Sequence, residues 1–246
     1  MRATNLFLQY APAIMELPVG QPYTKEQLLT EQFLLRREGT IEMYYAPHNE
    51  YVNSDAKVVL IGITPGWHEM ELAYRTARAG LEEGLALDEI GKRVKMASQF
   101  VGPTRANIVT MLNKLGLHAR LGICDCAELF DDADHLLYST AILGYPVFVS
   151  GRNYNGHSPA LQAVPFLKNW AVAEMTDELT QIKHPLLIPL GRAVQDILRL
   201  LAAAGVIQER RCLWGFPHPS GANGHRHRQF EEAFGEMRRT IAELSW

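Results

Sequence analysis

Four short apolar runs, separated by segments with helical spacing, constrain the fold of this chain more than any other feature of its sequence. The runs cover residues 57–63, 145–150, 185–190 and 211–216, and each has the length of a buried strand. Strands that alternate with helices imply parallel crossover connections. The sequence therefore predicts an α/β fold with a mostly parallel sheet covered by helices on both faces.

Helical signals lie between and after these runs. Apolar residues recur with helical spacing from Ile108 to Leu115, and Gly116 marks the end of that segment. Another helix is expected to begin at Ser158-Pro159, since serine caps helices and proline favours their first position. Further helical patterns cover residues 194–201 and 230–244.

The length of 246 residues corresponds to one large domain or at most two, at about 150 residues per domain. No repeat, low-complexity tract or linker interrupts the sequence. We expect a single domain over residues 1–246, with residues 1–50 as a helical and irregular lead-in packed on it.

Charge limits the partners that the chain can bind. It has 24 Lys plus Arg against 27 Asp plus Glu, a net charge of −3, which excludes a uniformly basic surface for nucleic acid. Residues 205–228, however, hold four arginines and three histidines against one acid, Glu209. Such a segment fits a local phosphate-contacting face, and it also fits the solvated start of a helix.

Cysteine usage and hydropathy indicate the compartment. The three cysteines, Cys124, Cys126 and Cys212, cannot all pair, which favours a reducing compartment. No run reaches the roughly 18 apolar residues that a membrane span needs. We expect a cytoplasmic protein of the bacterial cytosol or nucleoid type, with no membrane partner.

Glycine, proline and polar residues follow every apolar run. In open α/β sheets ligands bind outside the carboxyl ends of the strands, so these loops are expected to converge on one site. In the first loop, Gly62, Pro65 and Gly66 permit a tight turn that approaches a ligand closely, although a plain strand-to-helix turn has the same pattern. The loop lacks the signatures of a P-loop and of a dinucleotide-binding turn, which disfavours nucleoside triphosphates and NAD.

Three other loop features suit a nucleobase site, and each has a plain alternative. His218 stands between two prolines, which restrict its backbone and so direct its ring. A purely structural role for His218 has the same pattern. Asn153 and Asn155 flank Tyr154, and each fits either a reader of a base edge or an Asx turn. Phe100, beside a turn, suits stacking on a flat ring or packing in the core.

In their chain order these segments resemble the uracil-DNA glycosylase superfamily over residues 55–240. The matching strings are GITPG at 62–66, FVG at 100–102, Asn153, LGRA at 190–193 and HPSG at 218–221. The resemblance implies a three-layer α/β/α fold with a central four-stranded, mostly parallel sheet. It also implies that a base flipped out of DNA enters a pocket at the strand ends.

The resemblance assigns a role to each motif. Phe100 stacks on uracil, Asn153 binds its Watson–Crick edge, and His218 donates toward O2 and stabilises the anionic leaving base. The residues expected to bind the base are Gly62, Ile63, Pro65, Gly66, Phe100 and Asn153. Those expected to contact DNA are Ser220, Gly221, Ala222, Asn223, His225 and Arg226.

Two positions depart from the superfamily's pattern. Thr64 stands where the best-known members carry aspartate or asparagine, and its hydroxyl orients water but is no general base near neutral pH. Three explanations follow: Thr64 only positions the water, a nearby acid such as Glu69 or Glu71 helps, or catalysis is slow. Gly66 stands where the most uracil-exclusive family has a tyrosine, so Trp67 or another group must exclude thymine, and other damaged bases are candidate substrates.

No cofactor or metal is expected. Some members of the superfamily hold an iron-sulfur cluster on four cysteines, and three cysteines cannot form that set. A zinc site formed by Cys124, Cys126, His225 and His227 lacks the usual ligand spacing.

The sequence thus predicts a monofunctional uracil-DNA glycosylase, because no lysine in the site loops could cleave the strand as a Schiff base. Its expected partners are uracil-containing DNA, the abasic-site DNA product and free uracil, and we expect a monomer. Two alternatives remain open. One is a module that binds lesion or abasic DNA without efficient catalysis, which Thr64 favours, and the other is a nucleoside hydrolase, which the negative net charge suits.

Overall fold

A computed structural model describes residues 3–245, with side chains from Leu6 to Ser245. The helices are α1 Ala3–Met15, α2 Lys25–Leu28, α3 Trp67–Glu82, α4 Leu87–Ser98, α5 Pro103–Leu115, α6 Leu117–Leu121, α7 Pro165–Leu179, α8 Arg192–Ala203 and α9 Arg226–Glu243. The strands are β1 Leu34–Glu38, β2 Ile41–Tyr44, β3 Val58–Gly62, β4 Leu137–Ala141, β5 Val147–Val149, β6 Arg152–Asn153 and β7 Leu186–Pro189.

A parallel sheet in the order β4-β3-β7 confirms the predicted α/β class. The middle strand, β3, pairs in parallel with both neighbours, so that Val58 lies opposite Leu137 on one side and Leu186 on the other. The fourth predicted strand appears in reduced form, because the segment at 211–216 pairs with β7 only through a parallel bridge between Leu187 and Cys212. Helices flank this sheet, as expected for the uracil-DNA glycosylase-like fold.

The prediction that the apolar run at 145–150 joins this parallel sheet is wrong. Its strand, β5, belongs to a second sheet of order β1-β2-β5-β6, whose pairs are all antiparallel. The place beside β3 is taken by β4, whose polar residues Ser139 and Thr140 are only 2% and 3% exposed. The Thr140 hydroxyl donates to the buried carboxylate of Glu178 on α7 at 2.7 Å.

Two other local predictions differ from the structure. The helix expected at Ser158-Pro159 begins at Pro165 instead, where another proline occupies the first turn. The lead-in contains the helices α1 and α2 but also the hairpin of β1 and β2, which pair antiparallel. The sequence pattern does not predict this hairpin, because β1 is largely exposed and carries consecutive charged residues, Arg36-Arg37-Glu38.

Internal contacts divide the chain into two compact units. The first unit comprises Met1–Val52, Thr64–Gln99 and Leu143–Ser158, and it holds the antiparallel sheet and α1 to α4. The second unit comprises Asn53–Ile63, Phe100–Ile142 and Pro159–Trp246, and it holds the parallel sheet and α5 to α9. That the whole chain folds as one domain stays a prediction.

Each unit has its own apolar interior. In the first unit, the rings of Tyr10 and Tyr45 stack at 4.0 Å, and Phe33 meets Tyr74 edge-on at 4.9 Å. In the second, residues of the parallel sheet pack against α5 and α9, for example Val58, Leu60, Leu112, Leu186 and Met237. Within residues 3–245, no helix is long and apolar enough to cross a membrane.

Candidate functional site

Thr64 ties two segments of the first unit together. Its hydroxyl donates to the carbonyl of Tyr145 at 2.8 Å and accepts the backbone N–H of Val147 at 3.0 Å. A hydroxyl has one proton and two lone pairs, so these two bonds use the proton and leave one lone pair. The role of Thr64 in positioning water stays a prediction, and this geometry allows it to accept from a water but not to donate to one.

Glu69 lies in the first turn of α3, beside Gly66. Its Oε2 accepts the backbone N–H of Gly66 at 2.7 Å, which is the carboxylate half of a helix-capping arrangement. Glu71, the other candidate acid, is 5% exposed. It accepts from the backbone N–H of Tyr23 at 3.2 Å and pairs with Arg75 at 3.0 Å. The structure thus gives Glu71 a structural ion pair and brings Glu69, not Glu71, next to the Gly66 turn.

Asn153 lies on β6 and touches the same turn. Its Oδ1 accepts the backbone N–H of Trp67 at 3.2 Å. A backbone N–H can only donate, so this contact fixes which end of the amide is oxygen. A Cβ added to Gly66 would lie 3.4 Å from Asn153 Nδ2. Thr64, Gly66, Glu69 and Asn153 therefore belong to one neighbourhood of the first unit, and the Asn153 amide offers hydrogen-bond donors there.

The two candidate asparagines differ in what they do. Asn155 Oδ1 accepts the backbone N–H groups of His157 at 2.9 Å and Ser158 at 3.2 Å. These bonds form an Asx turn, which was the alternative to base reading for both asparagines. The arrangement favours Asn153 over Asn155 as the residue whose amide is available to a base.

A lysine that the sequence analysis did not single out supports the strand of Asn153. Lys25 Nζ donates to the carbonyl of Gly151 at 2.9 Å. Its ammonium lies 5.9 Å from the ring centroid of Trp67 and 5.6 Å from that of Phe148. The hydrogen bond holds the β5–β6 turn, and cation–π attraction to the two rings keeps the ammonium in place. No sequence pattern links Lys25 to this turn, since the contact joins segments more than a hundred residues apart.

In the second unit, Phe100 packs against the end of β3. A Cβ added to Gly62 would lie 3.3 Å from Phe100 Cε1, so the ring needs the bare backbone of this glycine. Phe100 has a positive φ of 45°, which is strained for an aromatic residue. The ring is half-buried and packs against the core of the unit, and both the stacking and the packing interpretations are compatible with it.

His218 is held by two neighbours in the second unit. Gly191 has a φ of +90°, and a Cβ there would lie 3.0 Å from His218 Cβ. The backbone N–H of Ser220 donates to His218 Nδ1 at 3.3 Å. An Nδ1 that accepts carries no proton, so the neutral ring has its proton on Nε2. The half-buried ring thereby presents Nε2 as a donor.

The loop after His218 is fixed through its carbonyls. Asn107 donates to Pro219 O at 2.8 Å, and Asn223 donates to His218 O at 3.1 Å. Arg226 Nη1 donates to Ser220 O at 3.0 Å. Of the residues predicted to contact DNA, Asn223 and Arg226 thus brace the loop, whereas Gly221, Ala222 and His225 are exposed.

The remaining predicted base-binding residues follow β3: Ile63 is half-buried and Pro65 is buried. For the zinc alternative, no group of three or more potential ligands comes together within the described part of the chain. Cys124 is exposed and Cys126 is buried, and burial raises the pKa of the Cys126 thiol to about 12.

A parallel α/β sheet with polar and glycine-rich loops after its strands defines this chain as an α/β protein with its candidate residues at strand ends. A family model described as the uracil DNA glycosylase superfamily matches residues 49–242, and the chain belongs to that superfamily. The chain is also similar to the uncharacterized protein YoxB of Bacillus subtilis (strain 168), at 41% identity over 234 residues, covering 95% of this chain and 91% of YoxB. No solved structure matches the chain.

Proposed function

We propose that this protein is a monofunctional uracil-DNA glycosylase. It flips uracil out of DNA and hydrolyses the N-glycosidic bond, which leaves an abasic site and free uracil. It acts as a monomer in a bacterial cytosol. Membership of the superfamily supports the glycosylase reaction, and the assignment of uracil rests on the roles of the residues below.

The fixed tautomer of His218 is the observation that carries the proposal. As the glycosidic bond breaks, the sugar becomes cation-like and negative charge develops on the base, including its O2 atom. The Ser220 N–H contact at 3.3 Å and the Gly191 turn aim a neutral imidazole with Nε2–H as its donor. A preorganised donor at such a position lowers the barrier by about 3 kcal/mol, or roughly 100-fold in rate.

The other predicted residues supply binding and orientation. Phe100 provides the flat face on which the base stacks, and Asn153 donates to a keto oxygen of its Watson–Crick edge because its own oxygen is held by Trp67 at 3.2 Å. Gly66 leaves the space that a larger residue would fill. Other deaminated bases with a keto group at this edge are therefore expected substrates besides uracil.

Glu69 is the acid that we assign to the attacking water. It lies beside the Gly66 turn, and Thr64 adds one lone pair from its hydroxyl to the same neighbourhood. The exposed residues of the loop from Gly221 to His225 contact DNA around the flipped nucleotide, and Arg226 holds that loop in shape.

The test is excision of uracil from labelled oligonucleotides, single-stranded and paired with guanine, followed by alkali to cleave abasic sites. We expect cleavage at uracil by the wild type. His218→Ala should lower the single-turnover rate about 100-fold and change DNA affinity much less, since its bond strengthens in the transition state. The exposed His135→Asn is the matched control. Wild-type cleavage that survives His218→Ala unchanged would remove the assigned role of His218.

Thr64 favours a second candidate, a module that binds lesion or abasic DNA without turnover. Its hydroxyl proton is used by Tyr145 at 2.8 Å, and no carboxylate stands at its position. Tight binding to uracil or abasic DNA without cleavage would identify this module. Such binding should weaken steeply with salt because counterions are released, whereas a nucleoside hydrolase should bind its substrate almost independently of salt.

A further inference from the structure

A buried polar group in the first unit stands apart from the motifs described so far. It joins the loop after β2 to helix α4 through His48, Asn49, Lys95 and Ser98, which are 6%, 8%, 3% and 0% exposed. Gly91 of α4 lets the two segments approach, because a Cβ there would lie 3.4 Å from the backbone of Glu50. Irregular loops seldom lie in a protein interior, since their backbone and polar groups need partners there.

The protonation of His48 follows from its bond to Ser98. The Ser98 hydroxyl donates its single proton to the carbonyl of Val94 at 2.7 Å. At the 2.9 Å contact between Ser98 Oγ and His48 Nδ1, the imidazole must therefore be the donor. The proton of the neutral ring sits on Nδ1, and Nε2 carries a lone pair. His48 therefore has the tautomer opposite to that of His218: its Nε2 is a hydrogen-bond acceptor, whereas Nε2 of His218 is a donor.

The ring stays neutral and its acceptor stays accessible. Burial, followed by the positive charge of Lys95, holds the pKa of His48 well below its usual range. Within the part of the chain that the structure describes, Nε2 has no hydrogen-bond partner, and it is not among the enclosed polar atoms that lack one. The 6% of the residue that remains exposed therefore includes this atom.

Hydrogen bonds tie Asn49, the residue next to His48, to the segment whose Tyr145 carbonyl holds Thr64. Lys95 Nζ donates to Asn49 Oδ1 at 2.5 Å, and Asn49 Nδ2 donates to the carbonyl of Gly144 at 2.9 Å. Gly144 precedes Tyr145, the residue whose carbonyl holds Thr64. His48 is thus anchored beside the segment that holds Thr64, in the same unit as Asn153.

We propose that His48 Nε2 accepts the hydrogen bond of the imino N–H of the flipped base and so determines which bases the protein accepts. The inference rests on the proposed function. It divides the reading of the Watson–Crick edge between two residues: Asn153 donates to the keto oxygen, and His48 accepts from the adjacent ring N–H.

This division defines a substrate class. Uracil and hypoxanthine carry both a keto oxygen and an imino N–H at this edge, whereas cytosine and adenine carry an amino group beside a bare ring nitrogen. Against cytosine or adenine, the lone pair of Nε2 would face another lone pair, and the Asn153 donors would face an amino group. Leaving such groups unpaired in a closed pocket lowers affinity by about 10- to 100-fold for each unpaired group.

The test compares two substitutions of the same histidine. His48→Asn places an amide N–H near the position of Nδ1, so it preserves the bond to Ser98 and removes the acceptor at Nε2. His48→Gln places an amide oxygen near the position of Nε2. We expect His48→Asn to lower kcat/KM for uracil excision about 10- to 100-fold with a melting temperature that is unchanged at pH 8. His48→Gln should recover part of the lost kcat/KM. The exposed His135→Asn is the control.

A second readout separates this inference from the proposed function. Binding is measured to oligonucleotides that carry 2′-fluoro-deoxyuridine or 2′-fluoro-deoxycytidine, in which the bond to the sugar resists hydrolysis. Wild-type protein should prefer uracil over cytosine, and His48→Asn should lose most of that preference. A purely structural role of His48 would not change the preference in a folded variant.

Each result decides the question. Wild-type excision that persists in folded His48→Asn, with the uracil preference intact, overturns the role of His48 and leaves the proposed function standing. If the wild type does not excise uracil, loss of its binding preference in His48→Asn still supports the base-reading role. A wild type without activity or preference overturns both. If His48→Asn does not fold, Ser98→Ala, which keeps Nε2 but releases the ring, should lower the preference, and an unchanged preference contradicts the inference.

Discussion

The side-chain hydroxyl of Thr64 and the backbone carbonyl of Tyr145 are joined by a hydrogen bond of 2.8 Å, and the same hydroxyl accepts from Val147 at 3.0 Å. Replacing Thr64 with valine leaves both backbone groups without this partner. We expect Thr64→Val to lower the free energy of unfolding by about 1–3 kcal/mol and Thr64→Ser to lower it much less. Urea denaturation measures both, with the exposed Thr110→Val as the control.

The same bond bears on the carboxylate that the best-known relatives carry at this position. Thr64→Asp could still accept from Val147, but an ionised carboxylate cannot donate to the Tyr145 carbonyl and would be repelled by it. We expect the aspartate variant to be less stable than the wild type and no faster in uracil excision. A faster variant would show that the aspartate reaches water and that the turn rearranges to allow it.

The distance between Gly62 and Phe100 gives a prediction about the stacking surface. A methyl group at Gly62 would lie 3.3 Å from Phe100 Cε1, closer than ordinary contact. Gly62→Ala should displace the ring by a few tenths of an ångström and slow excision at least several-fold. Gly235→Ala is the control, since a Cβ there meets nothing within 4 Å. Equal excision rates in the two variants would show that the ring position does not affect the reaction.

Gly191 provides a matched pair for the position of His218. Its φ of +90° and the 3.0 Å approach of an added Cβ to His218 Cβ make Gly191→Ala unfavourable in two ways. Gly205→Ala has only the unfavourable backbone angle, because its φ is +72° and an added Cβ there would meet no atom within 4 Å. Both variants should lose about 1–3 kcal/mol of stability from the backbone. Only Gly191→Ala should also lower the single-turnover excision rate, since it moves the imidazole.

Local patterns sufficed for part of this fold. The runs at 57–63 and 185–190 became the parallel strands β3 and β7, because a continuous apolar run is what a strand covered on both faces requires. The strand β4 could not be predicted in this way. Its Thr140 is buried only because Glu178, 38 residues away on α7, accepts its hydroxyl proton. A polar residue satisfied from a distant helix leaves no periodic signal along the chain.

The residues of the candidate site likewise fall into those that local sequence predicts and those that only distant contacts define. The histidine between two prolines and the glycines of the first loop are visible in the sequence, because proline and glycine act on the local backbone. The His48 and Ser98 pair is not visible, since it joins segments 50 residues apart through buried side chains. The preference for Asn153 over Asn155 also draws on the structure, because the Trp67 contact of Asn153 at 3.2 Å and the Asx turn of Asn155 differ.

Asn153 and Asn155 themselves form a pair for substitution. Aspartate at either position can still accept the backbone N–H groups that the asparagine accepts now, from Trp67 at 3.2 Å or from His157 at 2.9 Å. Asn153→Asp should therefore fold but lose its donors toward a keto oxygen, and we expect a reduced kcat/KM for uracil excision. Asn155→Asp should retain wild-type excision. The opposite result would assign base reading to Asn155.

The last prediction concerns the acid side of the stability profile, and it follows from the neutral state of His48. Burial and the charge of Lys95 keep the pKa of His48 well below its usual range in the folded protein. In the unfolded chain the pKa is about 6.5. Below that pH the unfolded state binds a proton that the folded state does not, so the free energy of unfolding must fall as the pH is lowered.

Replacing His48 removes this proton linkage. Melting temperatures measured from pH 8 to pH 5 should fall with pH in the wild type and in His135→Asn, and they should fall less steeply in His48→Asn. The difference between the slopes isolates His48, because the control replaces an exposed histidine by the same residue. Parallel slopes in all three proteins would mean that His48 accepts a proton in the folded state, which is incompatible with a permanent acceptor at Nε2.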